Sequence, residues 1–321
     1  MNDLVSILVP VFNRESIISE TLSSALAQSH KNIEIVVVDN ASTDNTWEII
    51  QDFERKDSRI LAFRNKTNIG PVKNWKRCVE EATGLYAKIL WSDDLIAHDF
   101  IEKCLPLMNA ETAFVYSGVK IFTDTPERGV PCYFIGESGH RLSSEYIVRA
   151  LLDNNVPVSP GCAIFRLEDL KKNLLADVRT KVDSNFSMHA IGNDLLLFLL
   201  TAKDYPEFGF VAEPLSFFRA HPGSISISSG GGKLPIHYML VRAYFAERYR
   251  KDMVDKMAAR AWLLIKKYPA HSSFGIEGVS DFFYDNVKVN YYLVTLMLFK
   301  RLFRAPVRIF RKMYHMLEAK K

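Results

Sequence analysis

Two adjacent carboxylates, Asp93 and Asp94, end an apolar segment and are the first residues that could carry chemistry. The preceding run, from Tyr86 to Trp91, has the composition of a buried strand. Paired negative charge is unfavourable there, because each carboxylate disfavours ionisation of the other. The pair is tolerated only if positive charge lies between or beside the two carboxylates. The alternative is that one Asp caps a following helix, a position that Asp favours.

A further carboxylate, Asp39, follows another apolar run. Residues 35–38 are all Ile or Val, so the segment predicts a buried strand that ends in a charge. Ligands of open α/β sheets bind beside the carboxyl ends of the strands, so Asp39 is predicted to face the same crevice as the Asp pair. Helix capping is again the alternative, although Ser42, Thr43 and Asp44 can all perform that task.

These acids require elements that hold them at one edge of a sheet. Between Leu4 and about Val119, short β-branched runs alternate with helical patterns, which is typical of β-α units around a mostly parallel sheet. The sequence therefore predicts an α/β fold. Strands are predicted at 5–12, 33–39, 59–63, 86–91 and 113–119, and helices at 17–26, 46–53 and 72–82.

The rest of the chain is less regular. Residues 123–142 are rich in Pro, Gly and charge, which predicts an insertion loop rather than a sheet element. Helices are predicted at 143–154 and 194–202, with a strand at 161–165 between them. A second loop is predicted at 221–234, and the pattern from there to residue 321 is almost entirely helical.

Composition excludes several classes of protein. The 321 residues carry a net charge of +4, but residues 286–321 contain nine Lys or Arg and one acid, so the basic excess lies in the tail. A nucleic-acid binder would carry that charge on its folded body. The four Cys form no C-x-x-C pair, which favours a reduced, cytoplasmic setting. The segment before Arg14 lacks Lys and Arg, and Pro10 interrupts its apolar run, so no signal peptide is expected.

Two phosphate-binding motifs are also absent. No G-x-G-x-x-G follows the first strand. The glycine run before Lys233 has Ile227 in place of the first Gly of a P-loop and Leu234 in place of its Ser or Thr. This run, Gly230 to Gly232, is typical of a flexible connector, and a mobile lid is compatible with it.

Six segments in order resemble glycosyltransferase family 2, the inverting enzymes of GT-A fold. They are "PVFNR", "VVVDNASTD", "NIGPVKNW", "SDD", "GNDLLL" (192–197) and "FRAHPGSIS" (218–226). The resemblance implies a Rossmann-like GT-A domain over residues 1–226, with a nucleotide-binding half at about 1–119 and an acceptor half at about 120–226. A helical C-terminal region, 227–321, would follow it.

The resemblance also implies roles for individual residues. The nucleotide would contact Pro10, Phe12, Asn13, Arg14, Asp39, Gly70, Lys73 and Asp93. Asp39 would accept the N3-H of a uracil-like base. Asp94 and Asp93 would hold the divalent cation, Mn²⁺ or Mg²⁺, with His221 as a further ligand or a structural residue. Candidate phosphate or acceptor contacts are Arg219, Trp91 and Asn193.

Asp194 is the implied catalytic base, which would take the proton of the acceptor hydroxyl. The alternative is that Asn193 and Asp194 only cap the following helix. Two residues depart from the pattern of the family. Trp91 stands where many members have a third acid, and Asn193 stands where Glu usually precedes the base.

The tail has a pattern of its own. On a helical wheel, its basic residues share one third of the circumference; they are Lys300, Arg301, Arg304, Arg308, Arg311 and Lys312. A basic amphipathic helix of this kind is typical of attachment to an anionic membrane surface. The alternative is that the tail of residues 286–321 packs on the catalytic domain or on a second subunit of a homo-oligomer.

The sequence thus predicts a metal-dependent glycosyltransferase on the inner face of the cell membrane. Its donor would be a nucleoside diphosphate sugar, with UDP favoured, and its acceptor a glycan, lipid-linked, of a surface polysaccharide such as O-antigen or capsule. Two alternatives stay open: a sugar nucleotidyltransferase, and a catalytically silent membrane-associated protein that binds nucleotide sugars. The first would be expected to show a Gly-rich basic loop after the first strand, and "PVFNR" contains no Gly.

Overall fold

The computed structural model describes residues 3–224, 227 and 229–300. The chain divides into two compact units. The first contains Met1–Arg179 and Ser184–Gly230, and the second contains Thr180–Asp183 and Gly231–Lys321. Every residue predicted to bind the donor or to act in catalysis therefore belongs to the first unit. The division of that unit into nucleotide and acceptor halves stays a prediction.

Four parallel strands form one half of the central sheet: β1 (Val5–Val11), β2 (Ile33–Asp39), β3 (Ile60–Arg64) and β4 (Tyr86–Ile89). Helices α1 (Ile18–Leu26), α2 (Thr46–Lys56) and α3 (Pro71–Glu81) connect them. All residues of β1 and β2 are buried, as expected for strands covered on both faces. Helix α1 buries Ile18, Leu22 and Ala25, which share one helical face.

The other half of the sheet is mixed. Its strands are β5 (Leu95–Ile96), β6 (Thr112–Phe122), β7 (Val130–Cys132), β8 (Gly139–Leu142), β9 (Ala163–Arg166) and β10 (Glu207–Arg219). The sheet order is β3-β2-β1-β4-β9-β6-β10-β5. Strand β9 is antiparallel to both of its neighbours, whereas β6 and β10 form a long parallel pair. The predicted α/β class, with a mostly parallel sheet and flanking helices, is confirmed.

Five helices accompany the mixed half: α4 (Phe100–Cys104), α5 (Ser143–Leu152), α6 (Leu167–Asn173), α7 (Phe186–His189) and α8 (Asn193–Ala202). All residues of α8 are buried, as its apolar sequence predicts. Its Phe198 packs against Phe114 of β6 with ring centroids 4.8 Å apart, and Tyr146 of α5 joins the same aromatic cluster. This cluster forms the core of the mixed half, because large aromatic side chains bury the most apolar area.

Two predictions about local structure are wrong. Residues 123–142 are not only a loop, because β7 pairs with β6 and β8 pairs with β10 inside that segment. Both strands are short and largely exposed, so they lack the apolar alternation that identifies strands in a sequence.

The strand predicted at 86–91 is shorter in the structure. Strand β4 ends at Ile89, and the two acids lie on a turn before β5. The next helix, α4, has Asp99 as its N-cap, so neither Asp93 nor Asp94 caps a helix.

The described part of the second unit is largely helical. It contains α9 (Lys233–Tyr249) and α10 (Val254–Lys267), and residues 291–300 are also helical. Val294 packs on Ala259 and Leu263 of α10. Within the described ranges, none of the helices has the length and apolar character needed to cross a bilayer. Residues 301–321, which carry most of the predicted basic face, lie outside the described residues.

Candidate functional site

The loops after β1 and β2 lie side by side because these strands are parallel neighbours. Asn13, which has a positive φ of 50°, links the two loops. Its backbone N-H donates to Ser42 Oγ at 2.9 Å, and its Oδ1 accepts the N-H of Thr43 at 2.9 Å. Pro10 is buried within β1, whereas Phe12 is exposed beside the crevice. The predicted nucleotide residues of "PVFNR" thus line one edge of the sheet.

Asp93 is bound by His221, which follows β10. His221 Nε2 lies 2.8 Å from Asp93 Oδ2, and its Nδ1 accepts the backbone N-H of Gly223 at 3.2 Å. Because Nδ1 is an acceptor, Nε2 carries the ring proton and donates it to the carboxylate. In this arrangement His221 orients Asp93, and it could coordinate a metal through Nε2 only in the other tautomer, with the ring proton on Nδ1 and the bond from Gly223 lost.

Asp94 is buried and has a different partner. Its Oδ1 accepts the backbone N-H of Arg219 at 2.8 Å. Burial raises the pKa of Asp94 well above its usual range, and the negative charge of Asp93 raises it further. The N-H of Arg219 and the positive charges of Lys88 and Arg219 oppose this shift. The positive charges around Asp94 therefore do not offset the effects of its burial and of the Asp93 charge.

Two arginines complete the surroundings of the acid pair. The Arg219 guanidinium donates from Nε to the Asp93 carbonyl at 3.0 Å, and its Nη2 bonds Glu20 Oε2 of α1 at 2.6 Å. Arg14 Nη2 lies 4.0 Å from Asp93 Oδ2. The Arg14 Nε is buried without a hydrogen-bond partner among the described residues. Its N-H is a donor that an anionic ligand could satisfy.

Asp39 is enclosed more completely than its sequence position suggests. Its side chain is 0% exposed, while that of Arg64, at the end of β3, is 39% exposed. Arg64 Nε lies 3.0 Å from Asp39 Oδ2, and the backbone N-H and hydroxyl of Ser42 both donate to the carboxylate. A base could reach this carboxylate only after Arg64 or Ser42 has moved. The alternative role of Asp39 as a cap is not seen, since Asn45 is the N-cap of α2.

A network of asparagines fixes the loop that leads into α3. Asn65 Nδ2 donates to Asn40 Oδ1 at 2.9 Å and to Asn74 Oδ1 at 2.8 Å. Asn40 Nδ2 donates to Asn68 Oδ1, which also accepts the N-H of Gly70. Asn65, Asn40 and Asn74 are buried, so the two bonds that Asn65 donates are shielded from water, whereas Asn68 is exposed. Sequence reasoning missed this network, although Asn68 and Asn74 lie within the quoted "NIGPVKNW".

Gly70 itself is covered by protein rather than open to the crevice. It has a φ of 85°, and a Cβ at this position would lie 2.5 Å from Met188 Sδ of α7. A residue with a side chain would therefore push the Met188 side chain aside, in addition to straining the backbone. Lys73 lies on α3 with its side chain exposed, on a different element from the acid pair.

Trp91 is held on three sides. Its Nε1-H donates to Ser159 Oγ at 2.8 Å, and its ring centroid lies 4.6 Å from that of Trp75 of α3. A Cβ on Gly161 would lie 2.8 Å from Trp91 Nε1, so only glycine fits beside the indole. The acid that many relatives have at this position is thus replaced by an aromatic ring in a fixed orientation.

Asp194 lies in the first turn of α8. Its Oδ1 accepts the N-H groups of Gly192 at 3.0 Å and Leu195 at 2.8 Å, which fixes the orientation of the carboxylate. The N-cap of α8 is Gly192, and no side chain caps the helix. Asn193 instead donates to the carbonyls of Leu175 and Ala176, at 2.9 and 3.0 Å. The prediction that Asn193 caps this helix is therefore wrong.

The donor set fits a divalent cation only in part. Among residues 3–224, 227 and 229–300, no group of three or more His, Cys, Asp or Glu side chains could hold a metal ion. The adjacent carboxylates of Asp93 and Asp94 still have the oxygen chemistry that Mg²⁺ and Mn²⁺ prefer. The raised pKa of Asp94 indicates that added positive charge would be accommodated there. Such an ion would need further oxygens from a ligand, and a diphosphate offers them.

The chain is similar to known proteins in both sequence and fold. The family model described as "Glycosyl transferase family 2" matches residues 6–174. The chain is 37% identical over 129 residues to an Escherichia coli protein, the UDP-Glc:alpha-D-GlcNAc-diphosphoundecaprenol beta-1,3-glucosyltransferase WfaP. That match covers 40% of this chain and 51% of the relative. The chain spans about half the length of the first curated relatives that it matches.

Two solved structures have a similar fold. The complex of S. aureus TarS residues 1–349 with UDP-GlcNAc superposes with a TM-score of 0.63 at 19% identity, over 86% of this chain and 76% of that one. The mannosyltransferase PcManGT from Pyrobaculum calidifontis, in complex with GDP-Man and Mn²⁺, gives a TM-score of 0.54 at 16% identity. That superposition covers 98% of this chain and 85% of the mannosyltransferase. The predicted GT-A fold is confirmed.

Proposed function

This chain belongs to glycosyl transferase family 2, and on that premise we propose that it is an inverting glycosyltransferase that uses a nucleoside diphosphate sugar. The observation that carries the proposal is the convergence of Arg219 and His221, which flank the end of β10, on Asp93 and Asp94 beyond β4. It combines paired carboxylates with N-H donors, one of them the cationic Arg219 guanidinium, at the carboxyl edge of a sheet, as expected for a site that binds a diphosphate. UDP is favoured over other nucleotides, because WfaP is named for transfer from UDP-Glc.

The nucleotide would lie across the ends of β1 and β2. In this proposal Pro10, Phe12 and Asn13 frame it, and Gly70 and Lys73 border the same region. Asp39 lies deepest, enclosed by Arg64 and Ser42. A hydrogen bond from a base to a charged acceptor contributes about 1.5 to 3 kcal/mol, and opening this enclosure would consume part of that energy.

The diphosphate would lie at the acid pair. Asp94 and Asp93 would hold a divalent cation, Mn²⁺ or Mg²⁺. His221 would be a further ligand through Nε2 in the tautomer that has its ring proton on Nδ1. When bound, the ion would neutralise the negative charge that builds on the departing diphosphate. The unpaired Arg14 Nε-H and the Arg219 guanidinium are the donors of this chain that can bind phosphate oxygens.

Asp194 is the proposed general base. The acceptor hydroxyl oxygen would attack the anomeric carbon from the face opposite the diphosphate, and its proton would pass to the Asp194 carboxylate. The bond between the anomeric carbon and the diphosphate oxygen would break, and its electron pair would leave with the nucleoside diphosphate. The bonds from Gly192 and Leu195 to Oδ1 would keep the base oriented during this step. Asn193, whose side chain donates to the carbonyls of Leu175 and Ala176, would contact the glycan acceptor.

The acceptor is proposed to be a lipid-linked glycan of a surface polysaccharide. WfaP is named for transfer to a sugar carried on diphosphoundecaprenol, which is a lipid. The helix at 291–300 packs on α10 through Val294, while Tyr291 and Tyr292 are exposed. Exposed aromatic residues next to a basic tail are typical of a helix that lies on a membrane surface. We therefore include peripheral attachment to the inner face of the cell membrane in the proposal; the alternative partner of this surface is a second copy of the chain.

The Asp194→Asn variant tests this proposal. Because a positioned general base contributes about 10²- to 10⁴-fold, transfer from a UDP sugar should fall by about that factor. Calorimetric titration with UDP and Mn²⁺ should give nearly the same affinity as the wild type, since Asp194 does not contact the nucleotide in this scheme. Mn²⁺ alone should bind weakly to both proteins, because two carboxylates are too few ligands.

Asp177→Asn is the matched control, because Asp177 is exposed and lies outside the site. It should transfer sugar at the wild-type rate. Full turnover by Asp194→Asn would remove Asp194 from the mechanism. A wild-type protein that binds UDP with Mn²⁺ but neither transfers nor hydrolyses any UDP sugar would instead indicate the silent binding protein. Formation of a nucleotide sugar from UTP and a sugar phosphate would indicate the nucleotidyltransferase.

A further inference from the structure

The Trp91 side chain is held in one orientation by several contacts. Ser159 Oγ accepts the indole N-H, and the same oxygen accepts the backbone N-H of Gly161 at 3.4 Å. Trp75, only 8% exposed, supports the ring at a tilt of 49°. Trp91 itself is partly exposed. The protein thus fixes the indole through a hydrogen bond, an aromatic contact and a glycine, and leaves part of it accessible.

Trp91 lies close in the sequence to the residues that are proposed to bind the donor. It precedes Asp93 by two residues on the same turn, and Asp93 and Asp94 are the proposed diphosphate side of the site. In a nucleoside diphosphate sugar, the sugar ring is bonded directly to the outer phosphate. The backbone N-H of Asp94 donates to the Trp91 carbonyl at 3.0 Å, so a ring attached to a diphosphate at this acid pair would lie next to the turn that carries the indole.

We propose that Trp91 is the wall against which the pyranose ring of the donor packs, with Ser159 as its positioning residue. The C-H groups on one face of a pyranose form an apolar surface, and an indole buries such a surface well. A carboxylate at this position would bind sugar hydroxyls instead. This inference rests on the proposed function, because it takes the acid pair as the diphosphate site.

The test compares the affinity of UDP with that of UDP sugars. Calorimetric titrations in Mn²⁺ would use UDP, UDP-glucose, UDP-galactose and UDP-N-acetylglucosamine, and the sugar that binds most tightly relative to UDP would be taken forward. In Trp91→Ala the advantage of that sugar over UDP should fall about threefold to tenfold, while the affinity for UDP itself stays unchanged. Trp91→Phe should retain part of the advantage, because it keeps an aromatic ring.

Two further variants separate this role from a loss of folding. Ser159→Ala removes the acceptor of the indole N-H and should lower the sugar advantage by a smaller factor than Trp91→Ala. Trp262→Phe, on α10 in the second unit, is the matched control and should leave both affinities unchanged. If Trp91→Ala does not fold, Trp91→Phe and Ser159→Ala still give the comparison.

Proton NMR of the bound sugar gives an independent readout. An indole stacked on the ring should shift the sugar C-H signals upfield in the wild-type complex, and the shift should disappear in Trp91→Ala. Equal loss of affinity for UDP and UDP sugar would overturn the inference, as would an unchanged sugar advantage or the absence of any upfield shift. These results would leave the proposed function standing, whereas a failure of the wild type to bind UDP would overturn both.

Discussion

Two neighbouring carboxylates in this site have different surroundings, and these decide their roles. Asp93 accepts a hydrogen bond from the His221 ring and keeps some exposure, whereas Asp94 is buried and bound by a backbone N-H. A third ionisable group, Lys88 of β4, lies behind them and is 0% exposed. Its ammonium donates to the carbonyls of Gly161 and Ile89 and lies 4.4 Å from the centroid of the Phe100 ring. Burial lowers the pKa of Lys88 from 10.5 to about 8.

A pH dependence of stability follows from Lys88. Because its folded-state pKa is below its unfolded value, the unfolded chain binds more protons between pH about 8 and about 10.5. The free energy of unfolding of the wild type, relative to Lys88→Met, should therefore rise with pH across that window, by at most about 1.4 kcal/mol per pH unit. Urea unfolding of both proteins at intervals of pH measures this difference.

Lys73→Met is the control for this measurement, since Lys73 is exposed. Its difference from the wild type should not change with pH. If the difference in free energy of unfolding between the wild type and Lys88→Met is also independent of pH, the Lys88 ammonium is not desolvated in the folded protein.

At the scale of the element, the two ends of β2 have separate tasks. Its carboxyl end carries Asp39 and the asparagine network, whereas its amino end carries Glu34, a buried carboxylate. Glu34 accepts bonds from the hydroxyls of Ser6 and Thr83, at 2.6 and 2.9 Å, and from the N-H groups of Thr83 and Gly84. These bonds tie the loop before β4 to β1 and β2, so Glu34 is a structural residue far from the site.

Glu34→Gln should lower the free energy of unfolding by about 1 to 3 kcal/mol. The amide keeps only one acceptor oxygen, and its NH₂ group faces donors that then lack a partner. Urea unfolding measures the loss, and calorimetry should show unchanged affinity for UDP with Mn²⁺. Glu168→Gln, whose side chain is 81% exposed, is the control and should change stability by no more than about 0.5 kcal/mol. An equal effect of both substitutions would contradict the structural role of Glu34.

At the scale of the molecule, the second unit has a helix that is packed on one side and exposes aromatic side chains. The helix at 291–300 uses Val294 and its neighbours to pack on α10, while Tyr292 is 75% exposed. Residues 301–321, which follow in the sequence, contain seven Lys or Arg and one acid. Removal of residues 286–321 would also remove the packed part, so a truncation that tests membrane attachment should keep it.

Truncation after Lys300 should release the protein from anionic vesicles. Each Lys or Arg near an anionic surface contributes about 1 kcal/mol, so the loss of seven should abolish most binding. Sedimentation with vesicles that contain anionic lipid measures it, and vesicles of neutral lipid are the control. Sedimentation of the truncated protein at the wild-type level would refute the membrane role of the tail, and a change in its oligomeric state would indicate a contact between subunits.

Local patterns in the sequence determined the strands of the parallel half, the helices between them, and the placement of Asp39, Asp93 and Asp94 after apolar runs. Such patterns can be recognised in a sequence because the buried face of a helix or strand requires apolar residues at characteristic spacings. Only the tertiary structure decided that Arg219 and His221 meet the acid pair, from 125 and 128 residues away in the chain. It also decided that Arg64 encloses Asp39 and that Ser159 holds Trp91. These contacts depend on strand order and loop path, which no local period specifies, and they determine what the acids can bind.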